Sequence, residues 1–369
     1  MPTEAAATPF LPGLGLSRAL YEEAVRPILA AAHPQLPYSA ARIGSGSEVL
    51  GFDTARSADH DWGPQLQLFL HPEAAATHGG TIHRLLADKL PGTVHGWPTR
   101  YRPSGDPRDP VGHLDPTADP LSHRVQTAAP APWFHDRLRG VDALTAELSV
   151  RDWLAIPQQA LAEVTGGAVF HDGLGVLGPV RERLAWYPDQ VWRYLLGCQW
   201  RKLSQEEAFV GRTAEVGDDL GSAVVAARQV RELMRLALLQ SRRYAPYSKW
   251  LGSAFTRDVP DAKLLSTPLR ETLAATTYAD RSAHLCDAYE ELARRQNALA
   301  LTPTPVDPTR RPYRSRPFPV IRADRFADAL LATVTDPHLT ALPPVGSVDQ
   351  WADSTDFLTG PGLPTTGLA

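Results

Sequence analysis

A chain of 369 residues, 43% of them hydrophobic, is long enough for two globular domains with real cores, and its net charge of −4 excludes a protein that coats nucleic acid through bulk charge. No apolar run approaches the roughly 18–20 residues that a membrane-spanning helix needs. The N-terminus lacks the basic and apolar regions of a secretory signal, so a cytoplasmic protein without a membrane partner is expected. The two cysteines, Cys198 and Cys286, lie in helical-looking segments without metal-ligand spacing and read as reduced thiols.

In chain order, Leu16–Ala32 has the spacing of an amphipathic helix that Pro27 can kink. A short strand is expected near Ala40–Ile43, then a Gly44-Ser45 turn and a helix over Ser47–Ala55. Asp59-His60-Asp61 opens an alternating apolar run through Leu66, Leu68 and Leu70, which reads as a strand. Thr81–Lys89 reads as a helix, Thr93–Trp97 and Ser122–Thr127 as short strands, and the Gly/Pro-rich stretch between these strands as loop. Ser149 and Asp152 form a capping signal for a helix that Pro157 interrupts. Gly166–Gly173 reads as turn, strand, turn. From Val180 the pattern is helical. Helices are expected at Gln190–Leu203, Glu206–Val216, Leu220–Arg243, Asp261–Ala275, Ala279–Ala300 and Ala323–Thr333, with Pro303–Pro319 as a linker. The expected fold class is α+β: a mixed sheet with helices over 15–150, a helical domain over 151–335 and a tail over 336–369.

The stretch 44–70 carries the chemistry. If Asp59 and Asp61 lie on a strand, they point to one face. Two carboxylates that close coexist most easily around a divalent cation. The preceding Gly44-Ser45 turn offers backbone N–H groups and a hydroxyl suited to phosphate. A metal–phosphate site is therefore expected. There is no Walker pattern, and the glycines lack the spacing of a dinucleotide-binding turn.

Gly44, Ser45, Gly51, Ser57, Asp59 and Asp61 together resemble the motif of the nucleotidyltransferase superfamily, which includes DNA polymerase beta and the poly(A) polymerases. The longer pattern, with Asp59-His60-Asp61-Trp62-Gly63 and the later Tyr244–Trp250, is similar to a bacterial nucleotidyltransferase-like group classed as domain of unknown function 4037. The resemblance implies a transferase that moves a nucleoside monophosphate, AMP from ATP, onto an unidentified acceptor. It implies Mg²⁺ (or Mn²⁺) on Asp59 and Asp61, and the nucleotide held by Gly44, Ser45 and Ser57. It also implies a cationic phosphate contact from a later helical region, for which Lys249 with Tyr247 is the candidate. Trp250 reads as core, and Arg228 and Arg231 as a solvated helix face. The superfamily's third carboxylate has no counterpart on Ser122–Thr127. His123 is the candidate base or acceptor-orienting group there, with Asp115, Asp119, Glu147 and Asp172 as alternative acids. A nucleotide-binding regulator without turnover is the second expectation. The charge balance disfavours a long nucleic acid as acceptor, and the oligomeric state is left open.

Overall fold

The structure is a computed structural model, which describes residues 9–106, 108 and 111–360. The chain forms two compact units. One comprises residues 1–147 with 160–185, and the other comprises 148–159 with 186–369. The division therefore differs from the expected boundary at residue 150, because the chain returns to the first unit for a further strand.

In the first unit, α1 (Gly13–Ala19) and α2 (Arg26–Ala32) are joined by a widened π turn over Leu20–Val25. Pro27 lacks an N–H and its ring crowds the carbonyl four residues back, so widening the helix ahead of it relieves the clash. Strands β1 (Tyr38–Arg42) and β2 (Leu66–Leu70) pair antiparallel, with Ala40 opposite Leu68. Helix α3 (Pro72–Lys89) is twice as long as expected. Two small hairpins follow, β3 (Thr93–Val94) with β4 (Trp97–Pro98) and β5 (Tyr101–Pro103) with β6 (Gly112–Leu114). A single turn at Pro120–Ser122 leads to β7 (Val125–Ala128), which runs parallel to β2, and then to α4 (Pro130–Arg137).

Helix α5 (Val150–Ala155), in the second unit, starts on the expected Ser149/Asp152 capping box. Pro157 separates it from α6 (Gln158–Thr165). Strand β8 (Ala168–Asp172) then closes the four-stranded sheet in the order β7-β2-β1-β8, and α7 (Leu177–Arg183) ends the unit. The alternation of β2 sends Leu66, Leu68 and Leu70 to one face. There they join Ala40 and Val125 and pack against Leu20, Val25, Leu29, Ile82 and Leu86. The opposite face carries Phe69, whose ring meets the edge of Trp133 at 5.3 Å.

The second unit is helical: α8 (Asp189–Glu206), α9 (Phe209–Glu215), α10 (Asp219–Gln240), α11 (Ser248–Asp258), α12 (Ala262–Ala274) and α13 (Tyr278–Ala298). Buried Trp192 and Trp200 anchor it. Trp192 donates its indole N–H to the Leu239 carbonyl at 2.8 Å, and Trp200 donates to Gln296 Oε1 at 3.0 Å while stacking on Phe326. The stretch expected as a linker contains a hairpin, β9 (Arg311–Tyr313) with β10 (Arg316–Val320), stiffened by the stacked rings of Tyr313 and Phe318. It leads into α14 (Asp324–Leu331). The expected tail is structured over its described residues, 336–360, and its remaining residues lie outside the described ones: Val348 and Asp349 are buried, and the Asp349 carboxylate accepts the Gln158 N–H at 2.9 Å. On α10, Leu220 and Val224 are exposed, whereas Ala226, Val230 and Leu233 are buried. The fold class is α+β, a mixed sheet with helices followed by a helical region, as expected. Among the described residues no helix is long and apolar enough to cross a membrane.

Candidate functional site

The turn after β1 is built on a buried ion pair. Arg42 gives Nε and Nη2 to the Glu48 carboxylate, Nη1 to the Ile43 carbonyl at 3.0 Å and Nη2 to the Ser45 carbonyl at 2.7 Å. The two side chains are 4% and 1% exposed, so the chain from Ile43 to Ser45 is wrapped around a desolvated guanidinium. Gly44 sits at φ +89°, where a side chain is strained, and a Cβ there would press on Trp133 at 3.1 Å. Its N–H donates to the Glu163 carbonyl at 2.9 Å. The Gly44 N–H is thus used within the fold, and the glycine shapes the turn.

Ser45 is exposed beyond this turn. Its hydroxyl accepts from Arg137 Nη1 at 3.4 Å, and the Arg137 guanidinium lies 5.5 Å from the centroid of the Trp133 ring. Arg137 comes from the last turn of α4 and has no signal in the sequence around the motif. A hydroxyl and a half-buried guanidinium converging on a turn suit a phosphate oxygen.

The aspartates do not lie on β2. The segment expected as a helix over Ser47–Ala55 is a series of turns, followed by one 3₁₀ turn over Ala55–Asp59. Asp61 is left-handed at φ 45°, and Gly63-Pro64 precede the strand. Proline has no N–H to give a ladder, so the strand starts only at Leu66. Strand alternation therefore does not align the two carboxylates, and a different framework holds the loop. Asp61 exchanges backbone contacts with Gly112, its N–H donating to the Gly112 carbonyl at 2.8 Å and its Oδ1 accepting the Gly112 N–H at 3.1 Å. Oδ1 also ion-pairs with Arg124. Asp59 Oδ1 contacts His60 Nδ1 at 2.6 Å, and its carbonyl contacts His113 Nδ1 at 2.7 Å. Both carboxylates remain about half exposed. Asp53 clamps the loop from behind, taking the Gly13 N–H at 2.7 Å and the Trp62 indole N–H at 2.9 Å on one oxygen. Ser57 is engaged locally, its hydroxyl accepting the Thr54 N–H at 3.0 Å in a capping box.

Carboxylate oxygens are hard donors of the type that Mg²⁺ takes. Among the described residues no group of three or more His, Cys, Asp or Glu gathers to hold a metal. A divalent ion at Asp59 and Asp61 would draw its remaining ligands from water and a substrate's phosphates, which is the ordinary pattern for Mg²⁺.

His123 is buried just before β7. Its Nε2 contacts the His83 carbonyl at 3.0 Å, and its Nδ1 accepts the Val125 N–H at 3.2 Å. Both ring nitrogens are thus engaged within the fold. Burial lowers its pKa, and the nearby His83 acts in the same direction against the bond to the His83 carbonyl. The unfolded chain therefore binds the proton first as pH falls below about 6.5. Stability should decline from there downward, because Nδ1 must gain a proton and lose the Val125 bond. Urea unfolding between pH 7.5 and 5 is expected to show this slope in the wild type, and a shallower one in His123→Gln.

The alternative acids are occupied or peripheral. Burial pushes the Asp172 carboxyl up, but the Gly178 N–H and the Ser39 hydroxyl outweigh it and hold it below the usual range. Asp115 pairs with Arg102, Asp119 caps the turn at Pro120, and Glu147 is exposed. On β7, Gln126 stands in register with Gln67 of β2, so an amide occupies the position beside that strand.

In the second unit, Tyr247 precedes α11, its N–H donating to Gln159 Oε1 at 3.0 Å. Lys249 is exposed in the first turn, with Nζ 5.0 Å from the centroid of the Trp250 ring. Arg228 pairs with Glu206, and Arg231 with Glu232 and Asp353.

The first unit is thus an α+β sheet unit with a polar turn and an acidic loop after β1, and the second unit is helical. Residues 153–251 match the family model described as "Domain of unknown function (DUF4037)", the group that the sequence motifs resemble. The matched stretch runs from α5 to the first turn of α11 and lies downstream of Gly44–Asp61. No curated protein matches the chain. Among solved structures, a nucleotidyltransferase-like protein from Exiguobacterium sibiricum is 14% identical, with 75% of this chain and 76% of that chain covered at a TM-score of 0.32. At that score the likeness carries no argument about this chain.

Proposed function

We propose that the first unit binds a nucleoside triphosphate with Mg²⁺ and transfers a nucleoside monophosphate, AMP from ATP, to an acceptor hydroxyl or other nucleophile. The observation that carries this reading is the convergence of Ser45 Oγ and Arg137 Nη1 on the turn after β1. In this reading Ser45 and Arg137 bind phosphate oxygens, and Trp133 keeps the Arg137 guanidinium oriented. Asp59 and Asp61 hold the metal, whose chemistry when bound is to neutralise charge on the phosphates. The Arg42–Glu48 pair and Asp53 keep the turn and the loop from relaxing, so that little order has to be gained on binding.

A second reading, a nucleotide-binding regulator that does not turn over, is favoured by one observation: the strand beside β2 presents Gln126 and no acid, while the nearby imidazole of His123 is engaged on both nitrogens. Calorimetric titration with ATP and Mg²⁺, paired with a pyrophosphate-release assay over candidate acceptors, separates the two. Arg137→Ala is expected to weaken ATP about tenfold or more, the size of a lost hydrogen bond between charged groups. Asp59→Asn and Asp61→Asn should abolish metal-dependent binding. Wild-type binding without pyrophosphate release supports the regulator, and absence of ATP binding by the wild type would sink both readings.

A further inference from the structure

Arg124 lies one residue before β7, and its guanidinium ion-pairs with Oδ1 of Asp61. It reaches that carboxylate across the Tyr101 ring, with Cζ 4.3 Å from the centroid. Tyr101 is buried and donates its hydroxyl to the Pro64 carbonyl at 3.4 Å, so the platform under the guanidinium is fixed. Gly112 completes the arrangement. Its N–H donates to the same Oδ1 at 3.1 Å, and a Cβ on it would collide with the Arg124 guanidinium. A cation held on three sides is therefore already bonded to the carboxylate that the nucleotide reading assigns to a metal.

We propose that Arg124 is a resident counter-ion that keeps free divalent metal off Asp61, so that metal is accepted together with a nucleotide's phosphates and poorly alone. The inference rests on the reading above for the identity of the phosphate carrier. Free metal must break a charge-assisted hydrogen bond and leave the guanidinium stacked beside a second cation. A polyanionic triphosphate brings the metal with its charge compensated and offers the released guanidinium oxygens to bind. The consequence is ordered loading, set by one side chain outside the acidic motif.

The test is Mn²⁺ binding to the full chain, read by the electron paramagnetic resonance of free Mn²⁺ and by calorimetry, with and without ATP. Without ATP, Arg124→Gln is expected to bind Mn²⁺ about tenfold more tightly than the wild type, the equivalent of one lost competing charge-assisted bond. Arg124→Lys should stay near the wild type, and adding Asp61→Asn to Arg124→Gln should remove the gain. Gly112→Ala, which displaces the guanidinium without removing its charge, should shift affinity in the same direction and covers the case in which Arg124→Gln does not fold. No gain in a folded Arg124→Gln or Gly112→Ala protein overturns the proposal, as does a gain that survives Asp61→Asn. If no protein binds ATP, the nucleotide reading fails by itself, and the ATP-free comparison still decides whether Arg124 guards Asp61.

Discussion

Glu48→Ala is expected to destabilise the first unit by about 3–5 kcal/mol, the cost of leaving a buried charge without its partner. Arg42 sends three of its contacts into the turn itself, to Glu48, Ile43 and Ser45, and water cannot replace the lost carboxylate at 4% exposure. The same substitution should loosen Ser45 relative to Arg137, so on the proposed function ATP affinity would fall even where the protein stays folded. Thermal melts with and without ATP check both effects. A loss of stability below about 1 kcal/mol would mean that the guanidinium is not desolvated as described. Replacing both partners with apolar residues of similar volume should cost much less than either single change, but it would not restore the turn, because the Arg42 bonds to the Ile43 and Ser45 carbonyls would be gone.

Glu207 is the corresponding point in the second unit. Its carboxyl is buried and accepts the N–H groups of Ile321 and Arg322 on one oxygen and of Ala323 on the other, at 3.1–3.2 Å, just ahead of α14. Burial pushes it up to about 7, with Asp324 acting in the same direction and the three N–H groups opposing. The folded carboxyl therefore keeps its proton to higher pH than the unfolded one. The linked stability is fully present below the unfolded pKa and is lost as pH rises through about 7, on the order of 3 kcal/mol in all. Glu207→Gln should flatten that slope at a cost of about 1–2 kcal/mol, because its NH₂ would face one of the N–H donors. Glu207→Ala should cost about 3 kcal/mol or more at pH 6, since three buried donors lose their acceptor. Urea unfolding from pH 5 to 8 on the three proteins is the measurement, and a wild-type slope of the opposite sign would show that the N–H groups win over burial.

What could be read from the sequence was local. The alternation of Leu66, Leu68 and Leu70, the Ser149/Asp152 cap and the proline breaks at Pro27 and Pro157 each follow from a period or a stereochemical rule, and each has a counterpart in the fold. The extension of the strand back to Asp59 failed because Gly63-Pro64 and the left-handed Asp61 interrupt the backbone. Apolar spacing does not report such a break. The partners of the site were out of reach for another reason. Arg124, Gly112 and Arg137 lie 51 or more residues away in sequence from the groups they touch. Only the sheet and its hairpins bring them together. The superfamily resemblance implies an acid on the stretch 122–127, whereas the residue of that stretch that touches Asp61 is the cation Arg124.

The return of the chain at residues 160–185 also constrains how the protein is made. Strand β8 pairs with β1 from Ser39 to Arg42, but it is synthesised after α5, which belongs to the other unit. On the ribosome the first sheet therefore waits, with β1 as an open edge, until more than a hundred further residues have emerged. A fragment cut at residue 147 would keep that edge permanently exposed and would also lose Glu163, whose carbonyl receives the Gly44 amide. The turn after β1 is thus completed only when translation has passed into the second unit and come back, which ties maturation of this turn to synthesis of a segment well beyond its motif.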